Sequence, residues 1–166
     1  MVTVSQDTVI LEGPLADRSR WTADRCTIDA SLSVVSTRSA MLILREAYYG
    51  TRRFDDFVER VGVTEAVAAA RLRELTAAGI LRREPYQEPG RRTRHEYRLT
   101  EMGLDLFPAL LALAQWGDKY LTGEAGPPLA WRHADCDEPV SVTVTCAAGH
   151  DVPISELAVS PRRRRR

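Results

Sequence analysis

Between Phe54 and Thr100 the chain reads as helix, tight turn, helix, hairpin, and that order restricts the fold more than any other feature. Asp55 or Asp56 opens the first helix, with Phe57, Val58 and Val61 as its apolar stripe. Gly62 supplies the turn and Val63 plugs it. Thr64 offers a hydroxyl that can cap a second helix, Thr64–Ala78, whose Val67, Ala68, Leu72 and Leu75 recur at helical spacing before Gly79 stops it. Ile80–Tyr86 reads as a strand, Gln87–Thr93 as a loop around Pro89-Gly90, and Arg94–Leu99 as the returning strand. The expected fold class is therefore mostly α with a small β-hairpin wing, a winged helix-turn-helix.

The flanks complete the architecture. Residues 1–25 are polar and irregular, an N-terminal arm broken at Gly13-Pro14, in which Val9, Ile10 and Leu11 can add a short strand. Thr27 caps a helix running to about Ser36, and a second helix runs from about Ser39 to Tyr49, ended by Gly50. Thr51-Arg52-Arg53-Phe54 is a short extended link. Thr100 caps a long helix, Glu101 to about Leu121, that Pro108 can bend. Its apolar positions (Leu104, Phe107, Leu110, Leu111, Leu113, Ala114, Trp116) cover more of its circumference than one small domain needs, which calls for a helix from a second subunit. The winged-helix and dimerisation domain thus spans 26–121. A linker follows at 122–128, then a small β-rich C-terminal extension at 129–159, and a basic tail at 160–166. In that extension Val140–Thr145 alternates like a strand, with Trp131-Arg132-His133 as its partner, and Ser155–Val159 suits a helical turn.

Composition narrows the function classes. A 44% apolar content excludes wholesale disorder, and no apolar run is long enough to cross a bilayer. With no secretory pattern at the start, a soluble cytoplasmic protein without a membrane partner is expected. Net charge is zero, yet residues 82–98 hold Arg82, Arg83, Arg91, Arg92, Arg94 and Arg98 against Glu84, Glu88 and Glu96. Lys119 is the only lysine, so the positive charge is almost wholly guanidinium, whose planar fork suits phosphate and guanine. No nucleophile stands at a recognisable spacing from His95, His133 or His150, and there is no glycine-rich phosphate loop, so no enzyme is expected.

Several segments together resemble the HxlR-type winged-helix transcriptional regulators of bacteria, over roughly Cys26–Gly117. They are Cys26, Met41-Leu42-Ile43-Leu44-Arg45-Glu46, Gly50-Thr51-Arg52-Arg53-Phe54-Asp55, Arg71-Leu72-Arg73-Glu74-Leu75 with Gly79-Ile80-Leu81, Glu96-Tyr97-Arg98-Leu99-Thr100-Glu101-Met102-Gly103, and Trp116-Gly117. The resemblance implies a homodimer on a near-palindromic operator of double-stranded DNA, and a cysteine at the position of Cys26 that answers oxidants or electrophiles in several members. The chain departs from the family where bases would be read. Glu65, Ala66, Ala69 and Ala70 stand where polar or basic side chains are usual, so Arg71, Arg73 and the wing must carry more of the affinity.

The candidate DNA contacts are therefore Arg52 and Arg53 before the motif, Thr64, Glu65, Ala66, Ala69, Arg71 and Arg73 on the second helix, and Arg91, Arg92 and Arg94 on the wing. Arg73 is expected to be the more exposed of its pair, and Arg71 can instead pair with Glu74. Cys26 lies at a helix start beside Arg25, which favours thiolate, with Asp24 and Asp29 opposing; a sensor thiol and an inert one both fit. His133, Cys136, Cys146 and His150 have a spacing that suits tetrahedral zinc or a metal-free hairpin; no other cofactor is called for. The expected function is a sequence-specific DNA-binding transcriptional regulator, a repressor in output, controlled at Cys26 or by a small ligand. A winged-helix protein–protein module and a thiol or small-molecule sensor are the rival readings.

Overall fold

The structure is a computed structural model that describes residues 8–20, 22, 26–90 and 92–161. Its elements run β1 (Ile10–Leu11), α1 (Thr27–Val35), α2 (Arg38–Tyr48), α3 (Phe54–Val61), α4 (Glu65–Ala77), β2 (Leu81–Tyr86), β3 (Arg94–Leu99), α5 (Glu101–Asp105), α6 (Phe107–Tyr120) and β4 (Ala158–Val159). The chain divides into two units, one formed by the N-terminal residues through Cys26 with Val142 onward, the other by Thr27–Ser141.

The larger unit is the winged helix. Side-chain oxygens start three of its helices: Thr37 accepts from the Ala40 N–H, Thr64 from Val67 and Thr100 from Gly103. Gly62, in the left-handed region at φ 68°, makes the turn between α3 and α4 that a Cβ would strain. Ile43 and Leu44 of α2, Phe57 of α3, Leu72 and Leu75 of α4 and Leu81 of β2 are fully enclosed and form one cluster. Burying each such side chain contributes about 1.5–3 kcal/mol, so this cluster fixes where α4 sits.

The wing pairs antiparallel from Leu81 opposite Leu99 to Tyr86 opposite Arg94. The Arg52–Arg53 link joins it as an extra rung: the Tyr97 N–H donates to the Arg52 carbonyl at 2.8 Å, and Arg53 bridges Glu96. Thr100 ties the wing's base to α4, its hydroxyl donating to the Gly79 carbonyl at 2.6 Å. Gly103 of α5 is buried so close to β2 that a Cβ would strike the Ile80 carbonyl oxygen.

Three expectations change. The long C-terminal helix is broken at Leu106: Pro108 has no N–H to give the Leu104 carbonyl, which instead accepts from Leu106. Val67, expected in the core, is 39% exposed, because Ala68, Leu72 and Leu75 define the buried stripe and Val67 lies at its edge. Val140–Thr145 does not form a strand. Val144 is exposed, and the pairing reduces to isolated bridges, Arg132 with Pro139 and Thr145 with Asp151, because turns fold each stretch locally and Pro139 cannot donate to a ladder.

Residues 129–141 belong to the winged-helix unit. Trp131 packs against Tyr49 and Phe107, with ring centroids 6.1 and 6.0 Å away, and Gln115 donates to the Val140 carbonyl at 2.7 Å. In the smaller unit, β1 and β4 pair in parallel, Ile10 with Ala158 and Leu11 with Val159, and a 3₁₀ turn at Ile154–Glu156 precedes β4. No single helix among the described residues is long and apolar enough to cross a membrane.

Candidate nucleic-acid interface

The outward face of α4 is short of hydrogen-bonding groups. Glu65, Ala66 and Ala69 are exposed near its start, and Ala70 is half-buried. Thr64 spends its oxygen on the cap, 3.3 Å from the Val67 nitrogen. Arg71 is half-buried and paired with Glu74 at 2.6 Å on the next turn, whereas Arg73 is exposed and has no ion pair among the described residues. Near its start the helix thus offers the Glu65 carboxylate, the methyls of Ala66 and Ala69 and part of Val67, and further along the Arg73 guanidinium and the Arg71–Glu74 pair.

The wing divides its charges between two faces. Arg82 faces Arg98 across the ladder and Glu84 faces Glu96, two like-charge pairs that would repel if left alone. They are relieved crosswise: Arg82 pairs with Glu84 at 2.7 Å, and Arg98 with Glu84 at 2.7 Å and Glu96 at 2.6 Å. The excess positive charge therefore lies elsewhere, on Arg83, on the loop and at the loop's junction with α3. Arg52, Arg83 and Arg92 are exposed without an ion pair among the described residues. Arg94 reaches Asp55 only at 3.8 Å, with both side chains mostly in solvent. Arg91 lies outside the described residues, as do Arg162–Arg166 of the tail.

Arg53, Arg83, Arg94 and His95, with Asp55 and Tyr86 among their neighbours, surround a notch of about 350 Å³ where the wing meets the start of α3. Within it Arg53 stacks over the Tyr86 ring at 5.0 Å and pairs with Glu88 at 2.9 Å. Sequence reasoning singled out Arg53 and Arg94 but missed Arg83, Tyr86, Glu88 and His95. The alternation of β2 carried the signal for Arg83, which shares its face with Leu81 and faces Tyr97.

The thiols and imidazoles are less convergent. Cys26 is half-buried and immediately precedes α1 in the chain. His133 Nδ1 lies 3.2 Å from Cys136 Sγ inside one turn. Cys146 and His150 share a second turn, where the Cys146 N–H donates to the His150 carbonyl at 3.0 Å. Backbone N–H groups of His150 and Ala148 hold the exposed Cys146 thiol below its usual range. Among the described residues no three His, Cys, Asp or Glu side chains come together as a metal-binding set.

A helix-turn-helix with an arginine-bearing wing and a solvent-facing second helix defines a winged-helix transcriptional regulator. The chain belongs to the HxlR-like helix-turn-helix family, whose pattern it matches over residues 34–125. It is 38% identical over 136 residues to Rv3095, an HTH-type transcriptional regulator of Mycobacterium tuberculosis, covering 81% of this chain and 85% of that one. Among solved structures it is similar to PA1607, named as a candidate transcription factor, with a TM-score of 0.76 at 30% identity over 84% of this chain and 97% of the other. It is also similar to the redox regulator HypR in its oxidized form, with a TM-score of 0.52 at 30% identity over 57% of this chain and 96% of that one.

Proposed function

We propose that the protein is a homodimeric repressor that presents two copies of α4 to a near-palindromic duplex in the cytoplasm. The observation that carries this reading is that Arg52, Arg60, Arg73, Arg83 and Arg92, disposed around the helix-turn-helix and its wing, are exposed guanidinium groups without carboxylate partners among the described residues. Cations left unpaired beside such a motif are suited to phosphates, whose neutralisation releases counterions and makes affinity fall steeply with salt. The α4 copies of a dimer address half-sites one helical turn or a multiple apart.

Exposed apolar side chains support dimerisation. Ile28 and Leu32 of α1 and Leu113, Trp116 and Tyr120 of α6 are each about half exposed or more, a surface that a second copy would cover. Oxidant control at Cys26 draws support from its position at the start of α1 and from the likeness to a redox regulator. Sedimentation equilibrium tests the dimer. Intact mass after mild peroxide, with Cys26→Ser as control, tests the thiol: modification of Cys136 or Cys146 alone overturns it.

The deciding experiment is anisotropy of a labelled duplex from upstream of the protein's own gene, against a scrambled duplex, at two salt concentrations. Tight, salt-sensitive binding to the native duplex alone is expected. No binding to either duplex at low salt would favour the protein–protein module, for which the bare Ala66 and Ala69 are the motivating feature.

A further inference from the structure

We propose that the notch between the wing and α3 is a seat for one backbone phosphate of duplex DNA, and that Glu88 is a built-in competitor holding Arg53 away from it. The proposal rests on the DNA-binding reading above and names a regulatory residue within it. Arg53, Arg83, Arg94 and His95 surround the notch, and Asp55 is the only carboxylate among its described lining residues. That donor set matches a phosphate, which accepts from several guanidinium groups at once. Arg53 is the pivot: it sits over the Tyr86 ring at 5.0 Å, a contact that fixes its plane, while Glu88 takes its guanidinium at 2.9 Å. Arg94 is held more loosely, 3.8 Å from Asp55.

The geometry makes Glu88 a stand-in for the incoming anion. A phosphate entering the notch must take Arg53 from a carboxylate carried on the wing loop, while Tyr86 stays against the guanidinium. The exchange weakens binding to every sequence alike, because a phosphate contact carries no base information. It also couples the wing loop to DNA, since the loop loses its tether to α3 when Glu88 lets go.

The test is a double-mutant cycle on the full chain, read by anisotropy with the native and scrambled duplexes at fixed low salt. Glu88→Gln keeps the shape of the side chain and removes its charge. It is expected to tighten binding to both duplexes by about two- to fivefold per subunit engaged, the range of an exposed ion pair. In an Arg53→Ala background the same change should give a clearly smaller gain. An unchanged affinity in Glu88→Gln, or an equal gain with and without Arg53, overturns the proposal while leaving the DNA reading intact. Failure of the unaltered protein to bind any duplex at low salt overturns the DNA reading itself. Thermal melts of each variant check that the fold is kept.

Discussion

Helix α4 and the wing sit side by side and are built on opposite principles. The inner face of α4 is fully enclosed at Ala68, Leu72 and Leu75, while its outer face near the start carries Glu65, Ala66 and Ala69. The wing puts one fully enclosed side chain, Leu81, into the core, packs Tyr97 and Leu99 against it, and carries its charges outside. The difference teaches a division of labour. Under the proposed function, a helix anchored so firmly and dressed so sparsely would fit a groove by shape and methyl contact, where alanine can meet a thymine methyl. A hairpin that carries exposed arginines without ion pairs among the described residues, Arg83 and Arg92, would supply attraction to a duplex without regard to sequence. Within the wing, the crosswise pairing of Arg82, Glu84, Glu96 and Arg98 assigns those residues to holding the strands together. In the proposed DNA-bound state the duty of attraction would fall to Arg83, Arg92 and Arg94, with Arg52 and Arg53 beside them.

This contrast can be broken or sharpened by substitution. The largest effect is expected from Leu72→Ala, which empties a fully buried site where α4 meets the core and should cost about 2–5 kcal/mol in denaturant unfolding. A cost well below that range would mean α4 is not anchored as described. Next comes Gly103→Ala, whose new methyl would press on the Ile80 carbonyl at the wing's base and should cost about 1–3 kcal/mol, seen as a lowered thermal midpoint. The combined reversal Arg92→Glu with Arg94→Glu should leave the melting temperature nearly unchanged and weaken duplex binding by about tenfold or more, equally for native and scrambled DNA. A selective loss on the native duplex would show instead that the wing reads bases. The smallest effect is that of Thr64→Ala, which removes the α4 cap and should cost about 1 kcal/mol of stability.

Much of this was legible in the sequence because the relevant signals are local. The caps at Thr64 and Thr100, the turn at Gly62 and the return strand Arg94–Leu99 each depend on a few neighbouring residues, and all appear where expected. The pairing of Arg71 with Glu74 was visible as a spacing of three on a helix. Long-range placement was not legible. Nothing in the spacing of Arg53, Arg83 and Glu88 says that they meet, because that depends on how the pre-α3 link docks against β3. The apolar alternation at Val140, Val142 and Val144 suggested a strand, but a strand needs a partner ladder, and the chain turns back on itself there instead. Trp131 likewise looked like part of an appendage, whereas its ring completes an aromatic cluster with Tyr49 and Phe107.

In the proposed DNA-bound dimer, α4 would supply sequence choice and the wing would supply attraction. This division is tested most directly by selecting duplexes from a random library with the unaltered protein and with the Arg92→Ala, Arg94→Ala double variant, followed by salt titration of the selected site. The account predicts the same consensus from both proteins, with the variant binding more weakly and its logarithmic salt slope shallower by about one for each phosphate no longer neutralised. A changed consensus, or an unchanged affinity and slope, would contradict it.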